Sequence, residues 1–227
     1  MKLILFLLIF FPFLDNSVNA QRVKYYLDLD GNEINKQVRE DLLKNHPGIF
    51  SSWDYIAKDS GRVSRITNRY YTGILKEKNI KKYIESVTKT TYADSTIFFI
   101  SYNFIRDLCS TFSDRKISRN SILQRKKFIT PRKKFIEKKY NNVVYLEFFE
   151  SEVVLKNTPQ SKKEYFYSDI GGLLKEFIFL KPQNCGAIAI IKPNGQILVN
   201  NGESNSTIIA QLLLDKNWRI FFSNPRE

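Results

Sequence analysis

The apolar positions along this chain change period several times, and each change marks an element. Residues 3–14, LILFLLIFFPFL, form an unbroken apolar run. That run is too short to span a bilayer. From residue 23, VKYYLDLDGNEINKQ predicts a short strand, an Asp-Gly-Asn turn and the start of a helix. NKQVREDLLKN continues as that helix, with Asn35 as its cap and Val38, Leu42 and Leu43 on one face; His46-Pro47-Gly48 ends it. RVSRITNRYYTGIL alternates like two strands paired around a polar turn. KEKNIKKYIESVTKT returns to helical spacing, with Ile80, Tyr83, Ile84 and Val87 inward. STIFFISYNF and NNVVYLEFFESE are dense apolar runs of strand length, the pattern of strands covered on both faces. SDIGGLLKEFIFLK reads as a helix. GAIAIIKPNGQILVN reads as a hairpin turning at Lys192-Pro193-Asn194-Gly195, and NSTIIAQLLLDKN as a closing helix capped by Asn205 or Ser206.

The N-terminal run has the layout of a secretory signal. Lys2 precedes it, polar DNSVN follows, and Val18 and Ala20 occupy the small-residue positions before a cleavage site. Residues 1–20 are therefore expected to be removed. The mature protein is expected in the periplasm, at the cell envelope or outside the cell, with no transmembrane segment remaining. Three parts are expected: the signal at 1–20, a small N-terminal α+β extension at 21–92, and a main domain at 93–227.

Charge adds one local feature. The chain carries 36 Lys and Arg against 23 Asp and Glu, a net +13. Residues 115–139 alone hold eleven Lys and Arg against one Glu. Arg125, Lys126, Lys127, Arg132, Lys133 and Lys134 are the candidate anion-binding patch, for an anionic lipid or lipopolysaccharide surface. Ile122, Leu123, Phe128, Ile129, Phe135 and Ile136 interrupt the charges at helical spacing, so a solvated amphipathic helix accounts for the same pattern. Export argues against a nucleic-acid partner.

Other chemistry is sparse. His46, the only histidine, sits beside Pro47 in a helix-ending turn and reads as a surface or capping residue, not a catalyst, and a lone histidine makes no ordinary zinc cluster. No phosphate loop or nucleophile elbow is present, and DLDGNE lacks the later ligands of a calcium loop. No cofactor is expected. Glu147, Glu150 and Glu152 read as solvated strand-end charges, Glu203 as a loop acid, and Trp53 and Trp218 as packing residues.

The order strand, helix, strand, helix, hairpin, helix over about 93–215 resembles the thioredoxin-like superfamily of periplasmic thioredoxins and peroxiredoxins. FIEKKYNNVVYLEFFES looks like that family's lysine-rich helix end running into a strand, and GAIAIIKPNGQIL like its antiparallel hairpin. The resemblance implies an α/β fold with a central mixed sheet flanked by helices. The family's Cys-x-x-Cys motif is absent: SYNFIRDLCSTFSD has one cysteine, Cys109. The position of the family's cis-proline falls on Gly186.

In that fold Cys109, after the first strand, and Cys185, before the hairpin, would flank one end of the sheet. Three outcomes follow. The pair forms a structural disulfide, in keeping with an oxidising compartment. It acts as a redox pair in a thiol-disulfide oxidoreductase or thiol peroxidase-like enzyme, making Cys109 and Cys185 the candidate catalytic residues. Or the two cysteines lie apart. Arg106 and Asp107 are the charges near Cys109, and they oppose each other.

Overall fold

The computed structural model describes residues 25–57, 61–75, 79–105, 115–158, 161, 163–180, 186–202 and 205–222. The elements run β1 (Tyr25–Leu27), β2 (Glu33–Ile34), α1 (Lys36–Asn45), β3 (Phe50–Ala57), β4 (Gly61–Asn68), β5 (Tyr70–Ile74), α2 (Asn79–Thr88) and β6 (Ile97–Asn103). They continue with β7 (Lys116–Ile117), α3 (Arg119–Lys139), β8 (Val143–Phe149), β9 (Val154–Leu155), β10 (Phe166–Ser168) and α4 (Leu173–Phe177). The last are β11 (Ala187–Ile191), β12 (Gln196–Asn201), α5 (Ser206–Ile209), a 3-10 turn at Ala210–Leu213, and α6 (Asp215–Trp218).

The central sheet has the order β10-β8-β6-β11-β12-β5. β6, β8 and β10 are parallel neighbours, while β11, β12 and β5 are antiparallel. Within it β6-α3-β8-α4-β11-β12-α5 follows the expected order of strand, helix, strand, helix, hairpin, helix. The fold is thioredoxin-like mixed α/β. Helices cover both faces. Phe99, Asn103, Tyr145, Glu147 and Phe149 belong to the side of the sheet that meets α3: Arg125 of that helix bonds Asn103, pairs with Glu147 and lies over the Phe149 ring. Phe98, Tyr102 and Phe148 are on the opposite side, where Tyr83 of α2 and the start of α4 share Asp169 with Tyr102. With both sides covered, β6 and β8 lose the polar alternation of a half-exposed strand. Phe99, Ile100, Tyr102 and Phe148 are fully enclosed.

A smaller sheet, β2-β1-β4-β3, precedes this body. Its first turn is shaped by Asp28, whose Oδ1 accepts from the N–H groups of Asp30, Gly31 and Asn32 at 2.8–2.9 Å. Asn35 caps α1 through a 2.8 Å bond from the Val38 N–H, and the His46 N–H closes the helix on the Leu42 carbonyl.

Residues 62–75 do not form the expected strand pair. β4 pairs with β3 and β1, whereas β5 pairs with β12 at the edge of the central sheet. The chain changes sheets across the single residue Arg69, whose carbonyl accepts from the Asn201 N–H. Both segments alternate correctly for strands, but alternation does not encode a partner. The central sheet thus recruits a strand from before residue 93. β3 and β10 are further strands that periodicity leaves unmarked. The helix expected over 168–181 is the five-residue α4 preceded by the end of β10. The closing helix is α5, a 3-10 turn and α6, interrupted where Leu214 takes an extended backbone.

Candidate functional site

The parallel strands β6, β8 and β10 end on one side of the molecule, the side where open α/β sheets place their ligands. Three carboxylates gather there, each buried. Asp169, just past β10, accepts four hydrogen bonds. Its Oδ1 takes the Tyr83 hydroxyl at 2.5 Å and the Leu174 N–H at 3.1 Å. Its Oδ2 takes the Tyr102 hydroxyl at 2.8 Å and the Lys175 N–H at 3.0 Å. Asp169 thereby fastens α2, β6 and the start of α4 to one point. α4 starts after Gly172, which makes no side-chain cap, so Asp169 satisfies N–H groups that the helix itself leaves unpaired.

Glu147 and Glu150 correct the expectation of solvated strand-end charges. Glu147 is 1% exposed and Glu150 is 8% exposed. Glu147 accepts from the Tyr145 hydroxyl at 2.6 Å and from Asn103 Nδ2 at 3.0 Å, with Arg125 at 3.8 Å. Glu150 accepts the Ile105 N–H at 2.7 Å and pairs with Lys175. Only Glu152, whose partner is Arg115, has the solvated character expected. The even spacing of Tyr145 and Glu147 puts both on the α3 side of the sheet, where α3 supplies the cation.

The tyrosines in this cluster are held neutral. Burial, then the charge of Asp169 and the bond to it, raise the Tyr102 phenol far above its ordinary range. Burial and the bond to Asp169 do the same for Tyr83. Burial and Glu147 raise Tyr145. Burial pushes Tyr165 up to about 12. Such phenols donate hydrogen bonds and keep their protons. Among the described residues, no group of three or more His, Cys, Asp or Glu is arranged to hold a metal ion.

The hairpin begins at this same end. Ala187 is in register with Tyr102, and Gly186 has φ +77°. A Cβ at Gly186 would lie 2.5 Å from the Tyr102 carbonyl oxygen. Glycine is required there both by the left-handed backbone and by the close approach. The candidate catalytic residues Cys109 and Cys185, with Arg106, Asp107 and Glu203, lie outside the described residues, as do residues 1–20.

The six residues of the basic patch divide. Arg125 bonds Asn103 and pairs with Glu147; Lys126 pairs with Glu164 at 2.5 Å; Lys133 pairs with Glu137. These three cations are turned to carboxylates of the protein itself. Lys127 and Lys134 are exposed, and the Arg132 guanidinium lies 4.1 Å from the centre of the Phe128 ring. Sequence spacing cannot separate the two sets, because the carboxylates that claim the inner set include Glu147 and Glu164, remote in the chain.

No family model matches the chain, and no curated protein matches it. Among solved structures, the chain is similar to MTB dsbF, described in its mixed oxidized and reduced forms, at 11% identity and a TM-score of 0.32, over 52% of this chain and 79% of that one. It is also similar to the pneumococcal exposed lipoprotein thioredoxin Etrx1 of Streptococcus pneumoniae strain TIGR4, at 14% identity and a TM-score of 0.33, over 72% of this chain and 98% of that one. Among the described residues, no helix is long and apolar enough to cross a membrane.

Proposed function

We propose that this chain is an exported, thioredoxin-like cell-envelope protein. In it the sheet end used for thiol chemistry elsewhere in the fold is braced for stability, and Cys109 and Cys185 form a structural disulfide. The observation that carries this reading is the saturation of the strand ends. Both oxygens of Asp169, Glu147 and Glu150 are engaged by donors of the protein. A carboxylate so occupied holds elements together and has little capacity left for a substrate proton.

The chain path supports the bridge. Ile105 is tied to Glu150 at the end of β6, and Gly186 touches Tyr102 at the same end. Cys109 is four residues beyond Ile105, a reach of at most about 14 Å, and Cys185 is adjacent to Gly186. A bridge needs Cα atoms about 4.4–6.8 Å apart. Closing a loop of this length would stabilise the fold by about 4 kcal/mol on the chain-entropy estimate.

The test is a thiol titration of denatured protein isolated without reductant, with insulin reduction and peroxide consumption assayed beside it. The proposal expects no titratable thiol before reduction, two after it, and turnover equal to that of Cys109→Ser. Turnover above the Cys109→Ser background would assign a thiol oxidoreductase instead. Recovery of the chain with residues 1–20 intact in the cytoplasmic fraction would overturn export.

A further inference from the structure

The outer face of α3 presents aromatic side chains among cations. Ile122, Ile129 and Ile136 are buried against the sheet, and Ser118 caps the helix by accepting from the Ser121 N–H. The other apolar positions point away from the core: Phe128 is 65% exposed, Leu123 48% and Phe135 47%. At about 100° per residue, Phe128 and Phe135 stand within about 20° of one another, about 10 Å apart along the axis. Arg132 lies over the Phe128 ring at 4.1 Å and Lys139 over the Phe135 ring at 5.3 Å. The same spacing puts Lys127, Lys134 and Lys138 on the opposite flank of this stripe. The only acid of the helix, Glu137, is bonded to Lys133 and the Tyr145 N–H, away from this face. Pro131 is exposed, so the carbonyl that loses its helical partner does so on the solvent side.

We propose that α3 docks flat on an anionic phospholipid bilayer. Phe128 and Phe135 enter the boundary between headgroups and acyl chains, while Lys127, Arg132, Lys134, Lys138 and Lys139 contact the headgroups. Charge complementarity selects this occupant. Five cations without a carboxylate partner among the described residues border two exposed rings, and no acid shares their face. That is the arrangement of an interfacial helix, with apolar rings at the boundary and Lys or Arg at their flanks. Arg125, Lys126 and Lys133, neutralised inward, contribute nothing to binding. The proposal does not depend on the state of the cysteines.

The test is vesicle co-sedimentation of the purified protein, its N-terminus established by mass spectrometry. Phosphatidylcholine vesicles are compared with an equimolar mixture of phosphatidylcholine and phosphatidylglycerol. Wild type is expected to bind the mixed vesicles far better, and less so as salt rises. Lys127→Gln/Lys134→Gln/Lys138→Gln should weaken binding about 100-fold, about fivefold per charge. Phe128→Ser/Phe135→Ser, which leaves the charge unchanged, should weaken it at least about tenfold. Both variants change exposed side chains and should melt with wild type. Three results would overturn the proposal. The first is equal binding to both vesicle types. The second is a phenylalanine variant that binds vesicles, lipopolysaccharide and polyphosphate as wild type does, marking a soluble polyanion site. The third is a wild-type dimer lost in the phenylalanine variant, showing that a second copy covers the stripe.

Discussion

Replacing Asp169 by alanine removes the acceptor on which three elements converge. The Leu174 and Lys175 N–H groups lose their partners at the start of α4, and the fully enclosed Tyr102 is left with an unpaired hydroxyl. Tyr83 is less exposed to loss, since its hydroxyl also reaches the Ile170 carbonyl at 2.9 Å. A hydrogen bond to a charged acceptor contributes about 1.5–3 kcal/mol net. The four bonds do not add, because burying the carboxylate offsets part of their sum. Asp169→Ala is therefore expected to cost about 3–5 kcal/mol, in the range of broken buried networks. Tyr102→Phe, which leaves three donors on the carboxylate, should cost about 1.5–2 kcal/mol. Tyr83→Phe should cost about 1 kcal/mol. The double variant Asp169→Ala/Tyr102→Phe should fall short of the sum of its singles by about 1–2 kcal/mol. Urea unfolding followed by the fluorescence of the two tryptophans, Trp53 and the buried Trp218, measures all four. A cost below about 1 kcal/mol for Asp169→Ala, or a Tyr102→Phe cost equal to that of Asp169→Ala, would show that the carboxylate does not brace these three elements.

Gly186→Ala drives a Cβ to 2.5 Å from the Tyr102 carbonyl at φ +77° and is expected to destabilise by at least about 2 kcal/mol, read from the shift in urea midpoint. Gly73→Ala is the comparison: its Cβ would meet only the flexible Ile197 side chain at 3.1 Å, so it should cost less than Gly186→Ala. Alkaline pH should unfold the protein through its buried phenols. Tyr83, Tyr102 and Tyr145 have raised folded pKa values, so the stability they supply is complete below the unfolded value and drains above it. The decline sets in near pH 10 at about 1.4 kcal/mol per pH unit per tyrosine. Tyr165, raised to about 12, stops adding to the decline above that pH. Tyr102→Phe should show a shallower loss than wild type between pH 10 and 11, measured by urea titrations at fixed pH steps.

The elements of the main body were readable because their apolar runs are long and their punctuation is strong. IFFISYN, VVYLEFF and AIAII are buried on both faces, and Asn194-Gly195 turns the hairpin where the register requires it. What the sequence left obscure is partnership. β4 and β5 are separated only by Arg69 yet belong to different sheets, since the pairing is decided by Asn201 and β12, over a hundred residues away. The short β10 carries three residues, too few for a period, and is specified by its parallel register with Glu147–Phe149.

The same limit hid most of the candidate site. Glu147 and Glu150 look solvated in isolation because the residues that bury and satisfy them, Asn103 and Ile105, Arg125, and Lys175, come from three other stretches. Asp169 left a local trace, an acid shortly before a Gly-Gly helix start. Its hydroxyl partners Tyr83 and Tyr102 are 86 and 67 residues distant. In α3 the helical spacing of the apolar residues was legible, and Ile122, Ile129 and Ile136 are the ones it buries. The outward placing of Phe128 and Phe135 was not, because an apolar residue on a helix reads as core until the core is seen to be full.

The most direct measurement is mass spectrometry of a tryptic digest prepared under non-reducing, thiol-blocked conditions from protein isolated without reductant. Trypsin releases Cys109 within residues 107–115 and, because Lys181 and Lys192 precede prolines, Cys185 within residues 176–216. A single species joining those two peptides, separated by reductant, is the predicted result. Two peptides each carrying a blocked thiol would show that the cysteines stand free, contradicting the stapled sheet end.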